Sequence, residues 1–495
     1  MVRRKNRAGK RDGKFSFGKT PVVALSAAAT LVLMMSALLW AQSQAKDPGV
    51  RGGPAGAGTF QSALTANEKL SEPAFTTQFS QTALVTWNPA ACTPMMPNAP
   101  TAGCGLGPRF SSNSCASCHS QPAPGGSSPP QNPLFKVYTL KGAQNTMPSF
   151  EKTNGPVLVP HFPFQLGNPS VPDGLVHQLF VITGRSDARS CALAQPDFVS
   201  AEQENDIIYR QPLPTFGDGY IEIIQNSDIL NNMNSNLSLK ASLGIGGAVN
   251  IADDGTVNRL GWKAQWRAIL PAAGAEENVE TGITNEMFPT ETDQTLKSCL
   301  LNPVPEDPTN YNYTPSSNTP WYFLANAERD ADFIRFLEQP TPGACPGGDQ
   351  TSCARGFTQF QSVGCVLCHT VSFTTPAGSI PSMGHITANL YSDLLLHHMG
   401  SCLADNITEG AAEGDMFRTP PLWNVGQRYW FMHDGRTNDI LQAIQDHMDG
   451  STDTHCSGIG SYPASEADQV ILNFNKLPST GPNSQQDVLN FLRSL

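Results

Sequence analysis

The sequence predicts a mainly α protein with irregular loops and some short β-strands, built as two domains with the N-terminal one enlarged by insertions. Three observations carry that reading. At 495 residues the chain exceeds one ordinary core, so two domains are the natural division. Its 43 glycines and 40 prolines show no short repeat, which points to a loop-rich globular body and not to a collagen-like or disordered one. One short motif also occurs twice, 250 residues apart: Cys115-Ala-Ser-Cys118-His119 and Cys365-Val-Leu-Cys368-His369.

In chain order, the first twenty residues carry eight Lys or Arg and one acid, and the apolar run Pro21–Trp40 follows. Small residues come next, in "AQSQA", completing the basic, apolar, small order of a secretory signal. An apolar run of about twenty residues also suits one retained membrane span. Residues 1–45 are therefore expected to be a signal peptide or an N-terminal membrane anchor, with the rest exported to the periplasm. Without the first twenty residues the formal charge falls from −11 to −18, so the body is acidic. No basic patch with interleaved aromatics appears, which argues against nucleic acid as a partner. Such a body steers neutral or basic partners better than acidic ones.

Residues 46–58, "KDPGVRGGPAGAG", read as a flexible or docking leader, and 66–85 show weak helical periodicity. The loop "SQPAPGGSSPPQNP" at 120–133 cannot be helix, because proline blocks it. Between about 135 and 260, segments such as "VHQLFVITG" and "GDGYIEIIQ" read as short strands and loops. A short helix bearing Phe357 and Phe360 is expected to run into Cys365. At the far end Leu489, Leu492 and Leu495 fall on one helical face. A boundary near 343–348 then gives domains at 46–342 and 343–495.

Eight of the twelve cysteines lie outside the repeated motif: Cys92, Cys104, Cys191, Cys299, Cys345, Cys353, Cys402 and Cys456. In an exported protein they suggest up to four disulfides, and Cys92–Cys104 and Cys345–Cys353 would each close a short loop. The motif itself has three readings. A redox dithiol sits at a helix start in a βαβ setting and needs no histidine after it. A zinc site needs a second ligand pair nearby, and these two clusters lie far apart. Haem c attachment accounts for the histidine: the cysteines bond the two vinyl groups, and the next residue becomes the proximal iron ligand. Two covalent haem c groups are expected, one at Cys115, Cys118 and His119 and one at Cys365, Cys368 and His369. A helix before the second motif and a closing C-terminal helix follow the plan of a small cytochrome c domain.

The stretches "GLGPRFSSNSCASCHSQP", "FVITGRSDA", "ITNEMFP", "LYSDLLLHHMG" and "FRTPPLWNVGQRYWFMHDGRT" resemble the di-haem oxidoreductase family, whose members are described as di-haem peroxidases or thiol oxidoreductases. The resemblance runs from about Asp47 to Leu495, with the motifs in family order. A broader similarity reaches bacterial di-haem cytochrome c peroxidases and MauG-type enzymes. It implies an exported di-haem c-type oxidoreductase of peroxidase type. Such an enzyme would reduce hydrogen peroxide, or use it to oxidise a substrate, with electron transfer between the haems and a redox partner protein. In the peroxidases the N-terminal haem has an openable sixth position, and a tryptophan, matched here by Trp262, lies between the haems. Their distal carboxylate matches Glu280 in "EENVETG", where a short gap and Thr281 in place of methionine depart from the pattern. Counting forward from His433 nominates His447 as sixth ligand of the second haem. Two histidines would lower its potential relative to a His/Met pair. The resemblance further implies a calcium ion between the haem domains, for which no dedicated loop is seen.

A carboxylate of raised pKa suits proton transfer to and from peroxide. A solvated helix-end acid is the plainer reading of Glu280, and core packing that of Trp262. Met448 and Met399 rival His447; His397, His398 and His433 read as outer contacts. His161 and His177 leave the first haem's sixth position open. Arg185, Arg210 and Arg436 suit haem propionates or surface ion pairs. The alternative function is a non-enzymatic di-haem electron-transfer protein. Dithiol chemistry ranks last, since haem attachment consumes both cysteine pairs.

Overall fold

Short strands in this chain close only two-stranded antiparallel ladders among the described residues, and none exceeds five residues. Ladders this small are marginal alone, so loops and side-chain clusters hold them. The structure is a computed structural model describing residues 44–85, 105–307, 325–450 and 462–495, apart from scattered positions within 54–81 and at 303 and 379. The predicted signal or anchor and Cys92, Cys104 and Cys456 lie outside the described residues. The architecture is mixed helical with short strands and irregular loops.

In the first half, Arg109–Phe110 pairs with Phe180–Val181, so that Phe110 and Phe180 are fully buried beside Leu134 and Leu179. Val159–His161 pairs with Ile208–Arg210, with Val159 opposite Arg210. The expected strand in "VHQLFVITG" is therefore present, whereas Asp218–Ile223, inside "GDGYIEIIQ", is a helix. A short apolar run does not fix its own period. Here close packing settles it: a Cβ on Gly219 would lie 2.0 Å from the Arg335 carbonyl oxygen, so only glycine lets this turn seat against the Asn326–Phe336 helix. That helix also packs on Ile269–Glu276, which continues into a π-helical turn at Glu277–Thr281.

In the second half, Asp349 caps a fourteen-residue helix, Gln350–Val363, which ends at Gly364 (φ +112°) just before Cys365. The C-terminal Gln485–Ser494 helix lies against it, started by a Ser484/Asp487 capping box. Asp487 also accepts from Ser352 and Arg355, and Phe360 meets Phe491 at 5.5 Å. Leu489, Leu492 and Leu495 are all buried, as their spacing predicts. The leader docks: Asp47 pairs with buried Arg493 at 2.6 Å and accepts from the Ile440 amide at 2.9 Å.

Disulfides join Cys345 to Cys353, as the spacing suggests, and Cys191 to Cys299 across 108 residues. Cys402 is also disulfide-bonded. Among the described residues no helix is long and apolar enough to cross a membrane.

Candidate haem sites

The second motif leaves its helix at Gly364 in a tight turn, Cys365–Leu367, and the His369 amide bonds back to the Cys365 carbonyl at 2.9 Å. His369 directs Nδ1 at the Tyr391 carbonyl oxygen, 3.0 Å away, which leaves Nε2 free for a metal. Facing it is His447, just beyond the Ile440–Gln445 helix, with its own Nδ1 2.7 Å from the Ala443 carbonyl. The two ring centroids are 6.5 Å apart at 64°. Metal–imidazole bonds of about 2 Å bring the centroids of two opposed imidazoles to roughly 6 to 6.5 Å, so the pair fits one iron between them. Burial pushes His369 down to about 4 and also lowers His447, which keeps both rings neutral, the ligating form. Apolar walls from Phe360, Val470, Ile471, Phe474 and Leu492 suit a porphyrin face.

At the first motif, a four-residue helix, Cys115–Cys118, delivers His119. The proline-rich loop after it folds back, and the Gly126 carbonyl oxygen stands 3.2 Å from His119 Nδ1. A Cβ on Gly126 would lie 2.0 Å from the Gln121 oxygen, so this return needs glycine. The adjoining cavity, about 780 Å³, differs from the second in its lining. Among the described residues no histidine ring pairs with His119; the cavity instead presents Glu276 and Glu280, four apart on one helix end. Burial first, then the charge of Glu276, pushes Glu280 up to about 8, with the nearby Ser111 hydroxyl opposing the shift. Burial and Glu409 lift Glu276 to about 7, opposed by Arg210. The surface that Glu276 exposes lines this cavity.

Trp262 lines both cavities, as do residues 211–214 and Arg418. Its indole N–H donates to the Gln211 carbonyl at 2.9 Å, and His433 stands edge-on at 6.3 Å.

A family model described as "Di-haem oxidoreductase, putative peroxidase" matches residues 172–468, more than half of the chain. This chain belongs to the di-haem oxidoreductase family. The matched span holds Trp262, Glu280, Cys365, Cys368, His369 and His447, while Cys115, Cys118 and His119 precede it. A search of curated proteins found no match. Among solved structures, the chain is similar to a MauG-like protein associated with microbial copper homeostasis, at 15% identity over 57% of this chain and 89% of that one, TM-score 0.27. It is also similar to hydrazine synthase of Kuenenia stuttgartiensis, at 18% identity over 35% of this chain, TM-score 0.19, and spans 58% of that chain.

Other candidate residues of this di-haem oxidoreductase have defined surroundings. Met399 lines the second cavity beside His447; Met448 does not. His397 has a carboxylate at each ring nitrogen, Glu466 at 2.6 Å and Asp393 at 3.0 Å, and His398 faces Asp415. His433 lines the second cavity with its ring stacked on Phe417 at 4.3 Å. His161 lines the first cavity, whereas His177 stacks on Phe162 at 3.8 Å. Arg185, Arg210 and Arg436 are each paired with a carboxylate, Asp187, Asp405 and Asp434 respectively. Two groups bring three metal-ligand atoms within 4.8 Å among the described residues, Cys368–Asp393–His397 and His398–Glu413–Asp415. Both contain a histidine, whereas calcium takes oxygen ligands. The four motif cysteines are free of disulfides, and burial drives Cys118 and Cys365 up to about 12. A reactive dithiol needs the opposite shift, so these surroundings disfavour dithiol chemistry.

Proposed function

We propose that this is an exported di-haem c-type cytochrome oxidoreductase of peroxidase type, working in the periplasm. It would reduce hydrogen peroxide or use it to oxidise a substrate, with electrons reaching it from a redox partner protein. The observation that carries the reading is asymmetry: His369 faces a second histidine, whereas the cavity beside His119 offers carboxylates. Bound haem supplies one-electron redox chemistry and an iron site for peroxide. In this reading Cys115 and Cys118 anchor the first haem under His119, and Cys365 and Cys368 anchor the second between His369 and His447. Glu280, held protonated by its burial, gives a proton to the departing oxygen of peroxide, which leaves as water, and Glu276 beside it takes the proton that the near oxygen gives up and returns it to Glu280. Trp262, shared by both cavity walls, carries electrons between the two sites.

The test is the spin state of the purified ferric protein, read by electronic absorption and paramagnetic resonance, with and without peroxide. One high-spin, ligand-accessible haem that responds to peroxide is the expected result. Two low-spin haems that never react with peroxide, in either redox state, would overturn the enzyme reading and leave the electron carrier.

A further inference from the structure

Two buried cations in the cavity walls make no ion pair among the described residues. Arg418 ends the Met416–Arg418 strand and is 4% exposed; Arg428 is 7% exposed. Arg418 donates through Nε to the Gly261 carbonyl at 2.7 Å, and its Nη1 has no partner. Arg428 donates through Nη2 to the Pro421 carbonyl at 3.0 Å, and its Nε has none. The acids whose charge acts on Arg418 are Asp218 and Asp393, neither in ion-pair contact with it, and Asp393 is already bonded to His397. Arg418 and Arg428 also repel each other.

A guanidinium cannot shed its charge as a buried lysine can, and burying one unpaired is costly. Arg185, Arg210 and Arg436 obey that rule with carboxylate partners. Arg418 and Arg428 break it, and both line a cavity: Arg428 the second, Arg418 the first and the second. The missing partner is therefore an anion delivered by whatever fills the cavities, and each haem carries two propionate carboxylates.

We infer that Arg418 and Arg428 form a carboxylate-binding site in the wall between the cavities, Arg418 bonding a propionate of each haem and Arg428 one of the second haem alone. The inference rests on the di-haem reading above. One guanidinium then ties both cofactors to the backbone at Gly261, next to Trp262.

The test is spectroelectrochemical titration of the holoprotein. Removing a cation beside a haem disfavours its reduced form. R418Q should therefore lower both midpoint potentials, by about tenfold in each reduction equilibrium, about 59 mV for one electron. R428Q should lower only the second. R418K keeps the charge without the bidentate fork; it should move both potentials by less, and it stands in for R418Q should that variant fail to accumulate. An R418 variant that leaves either potential at the wild-type value would overturn the shared site. Acetate titrated into wild-type protein should move neither potential; a saturable shift would make the occupant a free carboxylate and overturn the propionate assignment. Covalent haem is counted first by a pyridine haemochrome assay. Fewer than two haems sinks the di-haem reading and this inference together, whereas two haems with unmoved potentials sinks this inference alone.

Discussion

His119, His369 and His447 share one local device, a backbone carbonyl that holds Nδ1 at 3.2, 3.0 and 2.7 Å. It fixes the ring's orientation, and at His369 and His447 it leaves the Nε2 lone pair outward. The carboxylates of the first cavity are set by burial instead. Burial penalises the charged form, so folded Glu280 keeps its proton to about pH 8, against about 4.5 in an unfolded chain. The folded state then binds the extra proton across that window, and Glu280 withdraws stability as pH rises through it. E280Q should cost roughly 10²–10⁴-fold in the peroxide reaction. In stopped-flow measurements the wild-type rate should fall as pH rises through about 8, and E280Q should lack that limb. An unchanged pH profile in E280Q would remove Glu280 from the chemistry.

At the scale of elements, the tightest constraint is the contact between the two helices that enclose the second site. A Cβ on Gly356 would lie 1.9 Å from the Asp487 carbonyl oxygen and 2.8 Å from Phe491 Cβ. G356A must push the C-terminal helix away and should cost roughly 1–3 kcal/mol by urea denaturation; a loss near zero would mean that the helices slide freely. Much here was legible in the sequence. The helix into Cys365 announces itself by Phe357 and Phe360, the closing helix by its leucine spacing, and the loop after His119 by its prolines. That His447 faces His369 was reachable only through the peroxidase resemblance, which points to a helix just after His433. What stayed hidden depends on distant segments meeting. Glu276 looks like any helix-end acid until the cavity is assembled around it. Arg418 and Arg428 look like ordinary surface cations, because only burial shows that their charge lacks a partner. "GDGYIEIIQ" reads as a strand until Gly219 is found against Arg335.

At the scale of the whole molecule, covalent links offset the weakness of two-stranded ladders. The Cys191–Cys299 link spans 108 residues, the Cys345–Cys353 link 8. Loop entropy assigns about 4.7 kcal/mol to a 100-residue loop and about 3 kcal/mol to a 15-residue one. C191A/C299A should therefore lower the calorimetric unfolding temperature more than C345A/C353A, and equal losses would show that native-state strain, not loop closure, dominates.

Asp47 meets Arg493 across 446 positions and the Ile440 amide across 393. Ile440 begins the short helix that leads to His447. In a chain that emerges N-terminus first, this clasp waits for nearly all of the later residues, and so do the bonds that the loop after His119 makes with Gln427 and Trp430. Chain order thus becomes an assembly order: both sites are locked only when early and late parts of the body meet.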